Sequence, residues 1–178
     1  MKKIFSMLAV SAFVLTGIAA NAQDKPKEDK SKRPSPPAQV TKTLKSGAVI
    51  TIDYSQPSVK GRTIGKDLEP KMGQVWRTGA NEATVFETSK DIKVNGSTLP
   101  AGKYGLFSLA DESEWTIIFN KTWNQWGAYD YKMNDDALRV KAKATKGNPS
   151  SEKFTITIAD DGTTKLLWGD HVVTFTIE

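Results

Sequence analysis

The 178-residue sequence has no cysteine and only one histidine, His171. Without cysteine there are no disulfides, no thiol chemistry and no lipid-anchored lipoprotein, so the core alone must hold the fold. A single histidine cannot build a multi-histidine zinc centre. The acidic pairs Asp111-Glu112, Asp135-Asp136 and Asp160-Asp161 lack the spacing of a calcium loop and read as solvated turns. No glycine-rich phosphate cradle leads from a strand into a helix, and no Gly-x-Ser-x-Gly elbow is present. No metal site and no cofactor is therefore expected. Sustained helical spacing is missing too: Tyr131–Ala137, with Asn134 or Asp135 as a cap, offers one turn at most. Beyond the first residues no apolar run is long enough to span a bilayer.

An excess of charge of one sign is also lacking. The formal net charge is +5, but Lys2 and Lys3 lie at the extreme N-terminus and residues 23–38 carry five bases against three acids. Removing both contributions leaves +1 for residues 39–178, which is no electrostatic footprint for nucleic acid.

Lys2 and Lys3, the mostly apolar Ile4–Ala20 and the small-x-small pattern Ala20-Asn21-Ala22 read as a cleavable export signal over residues 1–22. The expected location is periplasmic or extracellular. Residues 23–38, QDKPKEDKSKRPSPPA, are charged and proline-rich with no large apolar side chain. Such a segment buries too little surface to offset its ordering entropy, so a disordered tether is expected. Residues 39–178 form the single folded domain.

In that domain the apolar period is two. Ile50, Ile52 and Tyr54 share a face, as do Trp115, Ile117 and Phe119, and Phe154, Ile156 and Ile158. Asn95-Gly96 and Gly169-Asp170 read as two-residue hairpins and Asp160-Asp161-Gly162 as a turn. Nine or ten short strands are expected, in an all-β antiparallel β-sandwich of jelly-roll or immunoglobulin-like type.

Two stretches break the alternation. Gly73–Phe86 places Trp76, Arg77, Asn81 and Glu82 on an irregular, glycine-shaped loop between strands. There an arginine fork can clamp a carboxylate or phosphate, and a buried Glu82 can act as a general base. Alternatively, Arg77 and Glu82 form a buried structural pair. Lys121–Tyr131 gathers Trp123, Trp126, Tyr129 and Tyr131 among amides. These rings either stack on a ligand, with a sugar ring the natural choice in an exported protein, or fold back to cap the domain.

Tyr54–Arg62, Val75–Thr84, Leu99–Tyr104 and Glu114–Lys121 together resemble the DUF2911 family, exported bacterial proteins without an established function. The resemblance runs from Gln39 to Glu178. Its most specific part is Trp76-Arg77-Thr78-Gly79-Ala80-Asn81-Glu82-Ala83, whereas Leu99-Pro100-Ala101-Gly102 is common in unrelated β-proteins. It implies a single exported domain and supplies no catalytic residue or ligand.

The reading favoured by the residues is a non-enzymatic binding or scaffold protein of the bacterial envelope, with a glycan or an envelope protein as partner. Its ligand-contacting residues are Arg77, Asn81, Glu82, Trp123, Trp126, Tyr129 and Tyr131. The alternative is a metal-independent hydrolase or lyase using Glu82 and Arg77, with His171 as a weaker acid–base group. Geometry separates them: an enzyme needs Arg77, Glu82 and a third polar group converging on a pocket, a binding module needs exposed aromatic faces.

Overall fold

The computed structural model describes residues 28–178. The export signal expected over residues 1–22 and the start of the expected tether lie outside the described residues. Ten strands follow in chain order: β1 (Pro37–Thr43), β2 (Val49–Ser55), β3 (Val75–Trp76), β4 (Thr84–Thr88), β5 (Ile92–Val94), β6 (Ser97–Leu99), β7 (Gly102–Leu109), β8 (Glu114–Asn120), β9 (Asp136–Ile158) and β10 (Thr163–Thr176). Among the described residues the only helical pieces are two short 3-10 turns, Lys30–Lys32 and Met133–Asp135.

The strands pair antiparallel in the order β1-β2-β4-β7-β8-β9-β10, with β3 added on β7. The all-β antiparallel class is as expected. Seven strands follow one path, however, with β5 and β6 paired apart as a small two-stranded sheet, rather than the two face-to-face sheets of a jelly-roll or immunoglobulin-like sandwich. That path nearly closes on itself. Beyond β2 the chain meets the far half of β9, where the Val59 amide donates to the Glu152 carbonyl and the Phe154 amide to the Pro57 carbonyl, both at 2.9 Å. A strand that curls a sheet back onto its own edge leaves few unpaired backbone groups, which is what barrels achieve.

Curling requires long strands that bend. β9 has 23 residues and β10 has 14, longer than the short strands expected from the sequence. The Gly169-Asp170 hairpin expected from the sequence does not exist. Both residues lie inside β10, and the register against β9 shifts on either side of Gly169. Gly169 has φ +55, and a Cβ there would come within 2.5 Å of Ile64 Cδ1. The dipeptide that suits a tight turn equally suits a bulge, and here it re-aims the strand. Asn95-Gly96, in contrast, is the expected turn, with φ of 44° and 80°, and it joins β5 to β6.

The alternating residues line the interior. Ile50, Ile52, Leu106, Ile117 and Phe119 are fully buried, and Phe154 meets Tyr54, Trp76 and Trp168 edge-on with centroids 5.1–6.2 Å apart. Edge-to-face contacts of this kind add to simple area burial. On the other face of β7 and β8, Phe107 and Ile118 form a small second cluster, covered by Ala128 and Tyr131. That cluster fixes the Lys121–Tyr131 loop to the sheet.

Candidate functional site

The loop after Trp76 is held from within. The Trp76 ring is buried and its indole N–H donates to the Gly79 carbonyl at 3.0 Å. Thr78 is buried at φ +51, where its hydroxyl donates to Ser108 Oγ at 2.9 Å and its carbonyl accepts from Thr84 Oγ1 at 2.7 Å. A β-branched residue in the left-handed region costs on the order of 1–3 kcal/mol and persists only where its surroundings dictate it. The consequence is a loop that carries Asn81 (φ +60) and Glu82 out to the rim. There it is zipped to the aromatic loop: the Ala83 amide donates to the Gln125 carbonyl and the Gly127 amide to the Asn81 carbonyl, both at 3.0 Å.

Glu82 and Arg77 do not pair, contrary to the structural alternative drawn from the sequence. Glu82 takes Lys30 Nζ and Arg33 Nη1, each at 2.8 Å. Burial of the carboxyl works against its ionisation, but hydrogen bonds from Lys30, its own backbone and Arg33 outweigh it and push the pKa down to about 2. Arg77 instead lies beneath the aromatic loop, where a Cβ on Gly127 would come within 3.1 Å of its Nη1. Its Nε is buried without a partner among the described residues. The irregular loop sends Arg77 under the aromatic loop and Glu82 to Lys30 and Arg33, which spacing alone does not reveal.

The segment bearing Lys30 and Arg33 departs from the expected solvated tether. Arg33 is gripped by Glu28 through Nε at 2.8 Å and Nη2 at 2.6 Å, and only 13% of its side chain is exposed. Its guanidinium carbon sits 5.7 Å from the centre of the Trp126 ring. Asn81 Nδ2 donates to the Ser35 carbonyl at 2.9 Å. These contacts are ion pairs, a cation–π contact and an amide hydrogen bond, so the absence of large apolar residues did not prevent docking.

Between β2 and the two loops lies an open groove of about 240 Å³. Lys30, Arg33, Asp53, Glu82, Trp123 and Asn124 are among the residues lining it. Trp123, Trp126 and Tyr129 are 37%, 52% and 82% exposed, so these three rings do not cap the core. Lys103 Nζ stands 4.9 Å from the centre of the Trp123 ring. Tyr131 behaves differently. Its ring packs on Phe107 at 5.2 Å, and its hydroxyl donates to Asp136 at 2.8 Å and accepts from Arg139 at 2.6 Å. Tyr131 is the capping residue of the four.

His171 is not in a surface turn. It lies in β10, half-buried, with its ring 5.8 Å from that of Trp115 and its Nε2 3.7 Å from Asp170 Oδ1. Burial holds its pKa below the ordinary value, and the Lys146 ammonium adds to this while Asp170 opposes it. His171 lines a different cavity of about 300 Å³, with Ile64, Met72, Trp115 and Lys146. Glu82, Arg77 and His171 therefore do not converge on one groove. Among the described residues no three acids or imidazoles stand close enough to hold a metal ion.

Of the residues singled out from the sequence, Glu82 and Trp123 line the groove between β2 and the two loops, and Lys30, Arg33, Asp53 and Asn124, which were not singled out, line it with them. Asp53 reads only as the outward residue of β2. Lys30 and Arg33 sit in a run of mixed charge with no feature that marks them.

Neither the comparison with curated proteins nor that with solved structures finds a match. Residues 35–177 match the family described as "Protein of unknown function (DUF2911)". The match takes in all ten strands, and the chain belongs to the DUF2911 family.

Proposed function

We propose that this chain is an exported ligand-binding domain of the bacterial envelope, not an enzyme, and that it takes a glycan in the groove beside Glu82. The observation that carries this reading is the exposed pair Trp123 and Trp126 next to a groove lined by two carboxylates, Asp53 and Glu82, and by Asn124 and Gln125. Flat apolar faces rimmed by acceptors and amides suit a sugar ring, whose C–H face stacks while its hydroxyls bond outward. The basic, then apolar, then small-residue start of the chain supports export.

The hydrolase or lyase alternative draws less support. A carboxylate held near pKa 2 is a weak general base at neutral pH, and Arg77 is not among the groove's lining residues.

Titration of the full mature protein with chitotriose, cellotriose and soluble peptidoglycan fragments, followed by tryptophan fluorescence, tests the reading. A saturable change that disappears in Trp123→Ala is expected. No response to any of the three, at concentrations up to roughly ten times a millimolar Kd, sinks the glycan assignment.

A further inference from the structure

The groove is already occupied by cations, and they belong to the protein. The segment that carries them is built for the task. Asp29 accepts from the Ser31 amide at 3.2 Å and the Ser31 hydroxyl at 2.6 Å, which fixes the 3-10 turn over Lys30–Lys32. Glu28 holds two nitrogens of Arg33 and leaves Nη1 for Glu82. The turn brings Lys30 to the other oxygen of the same carboxylate. Downstream, the Ser35 carbonyl is held by Asn81, and the Pro36 carbonyl accepts from the Gln56 amide at 2.9 Å. An acid, an indole face and an amide on the domain are thus each filled by a complementary group of one short segment.

We propose that the Glu82–Trp126 face is a recognition surface for a short basic segment of the Lys-x-x-Arg kind, and that residues 28–35 are its resident occupant, a strap that competes with outside ligands for this part of the groove. The competition rests on the glycan-groove reading above; the docking of the strap does not. The side chains of Lys30 and Glu82 are 55% and 38% exposed, so their ion pair contributes little by itself. The strap stays down because it is tethered: attachment gives it an effective concentration on the order of millimolar. A contact of that kind holds at rest and yields to a ligand.

Two measurements test this. The first is trypsin cleavage of the full chain after Lys30 and Lys32, read by mass spectrometry against a reference peptide. Arg33 precedes Pro34 and is spared. Cleavage is expected to be about tenfold faster in Glu82→Gln than in wild type, because loss of the carboxylate frees the strap. It should also be faster in wild type at roughly 1 M than at roughly 0.1 M NaCl, where the pairs are less screened. The salt comparison needs no variant and stands if Glu82→Gln fails to fold.

The second is a synthetic peptide of residues 28–35 added to the Lys30→Ala/Arg33→Ala double variant. It should shift the Trp126 indole N–H resonance toward its wild-type position, and Glu82→Gln in the same background should remove that shift. Equal cleavage of wild type and Glu82→Gln at unchanged salt response, or a Trp126 resonance indifferent to the peptide, overturns the strap. Neither measurement contains a sugar, so a failed glycan screen leaves their outcome intact. A glycan that binds wild type and the double variant equally keeps the groove and sinks the competition.

Discussion

Arg33 binds Glu82 through Nη1 at 2.8 Å while its other two nitrogens fork onto Glu28. One guanidinium therefore joins the segment before the first strand to the rim of a loop reached only after three further strands. The pair sits against Trp126, so the groove's charge and its aromatic surface are coupled through a single side chain.

The coupling has a pH signature. The Glu82 carboxyl has a pKa of about 2, below the ordinary 4.5, chiefly because the bonds from Lys30, its backbone and Arg33 outweigh the cost of burial. A group with a lowered pKa adds stability that is complete above 4.5 and disappears as the pH falls towards 2. Backbone NMR order parameters for residues 30–33 should be high at pH 6 and drop at pH 2.5. Unchanged order at the lower pH would mean that the carboxylate does not hold the strap.

Arg77 and Glu82 should behave as independent sites. They share no hydrogen bond or ion pair, and Arg77 lies under the aromatic loop instead. In a double-mutant cycle with Arg77→Ala and Glu82→Gln, urea melts should give a coupling energy within about 0.5 kcal/mol of zero. A coupling several times larger would restore the buried pair that the sequence suggests.

Phe154 is the hinge of the aromatic interior, touching Tyr54, Trp76 and Trp168. Phe154→Ala should cost about 3–5 kcal/mol, the usual range for emptying a fully buried aromatic site. It should also loosen the contact between β9 and the chain beyond β2, because the Phe154 amide bonds the Pro57 carbonyl there. Denaturant melts give the first quantity and amide exchange at Phe154 the second. A cost under about 1 kcal/mol would show that the interior repacks around the gap.

What was legible in the sequence follows from which physics leaves a periodic trace. Ile50, Ile52 and Tyr54, or Trp115, Ile117 and Phe119, declare a buried face by alternation, and Asn95-Gly96 declares a turn by its tolerance of positive φ. Gly169-Asp170 carries the same local signal, yet its outcome depended on β9 bending alongside it, a non-local condition. The Glu82 site was half visible. Its loop and rings stand out by composition, but the partners Lys30 and Arg33 dock by ion pairs and a cation–indole contact. Hydropathy does not register such contacts, so a docked basic strap looks like a solvated one.

His171 offers a last test, this one of the second cavity. Three influences set its pKa: burial against Trp115 and the Lys146 ammonium lower it, and Asp170 raises it. The imidazole Hε1 resonance should therefore titrate with a midpoint below the ordinary 6.5. Lys146 also binds Asp170, at 2.9 Å, so each variant acts twice in the same direction. Lys146→Ala removes a cation and frees the carboxylate, and the midpoint should rise. Asp170→Asn removes the carboxylate and frees the cation, and it should fall further. The sign for stability is that of a histidine buried neutral. As pH drops below 6.5 the unfolded chain takes up the proton first, so the fold loses stability until the folded midpoint is passed. A midpoint above 6.5 in wild type, or a midpoint that neither variant moves, would mean that His171 faces solvent and not the Trp115 wall.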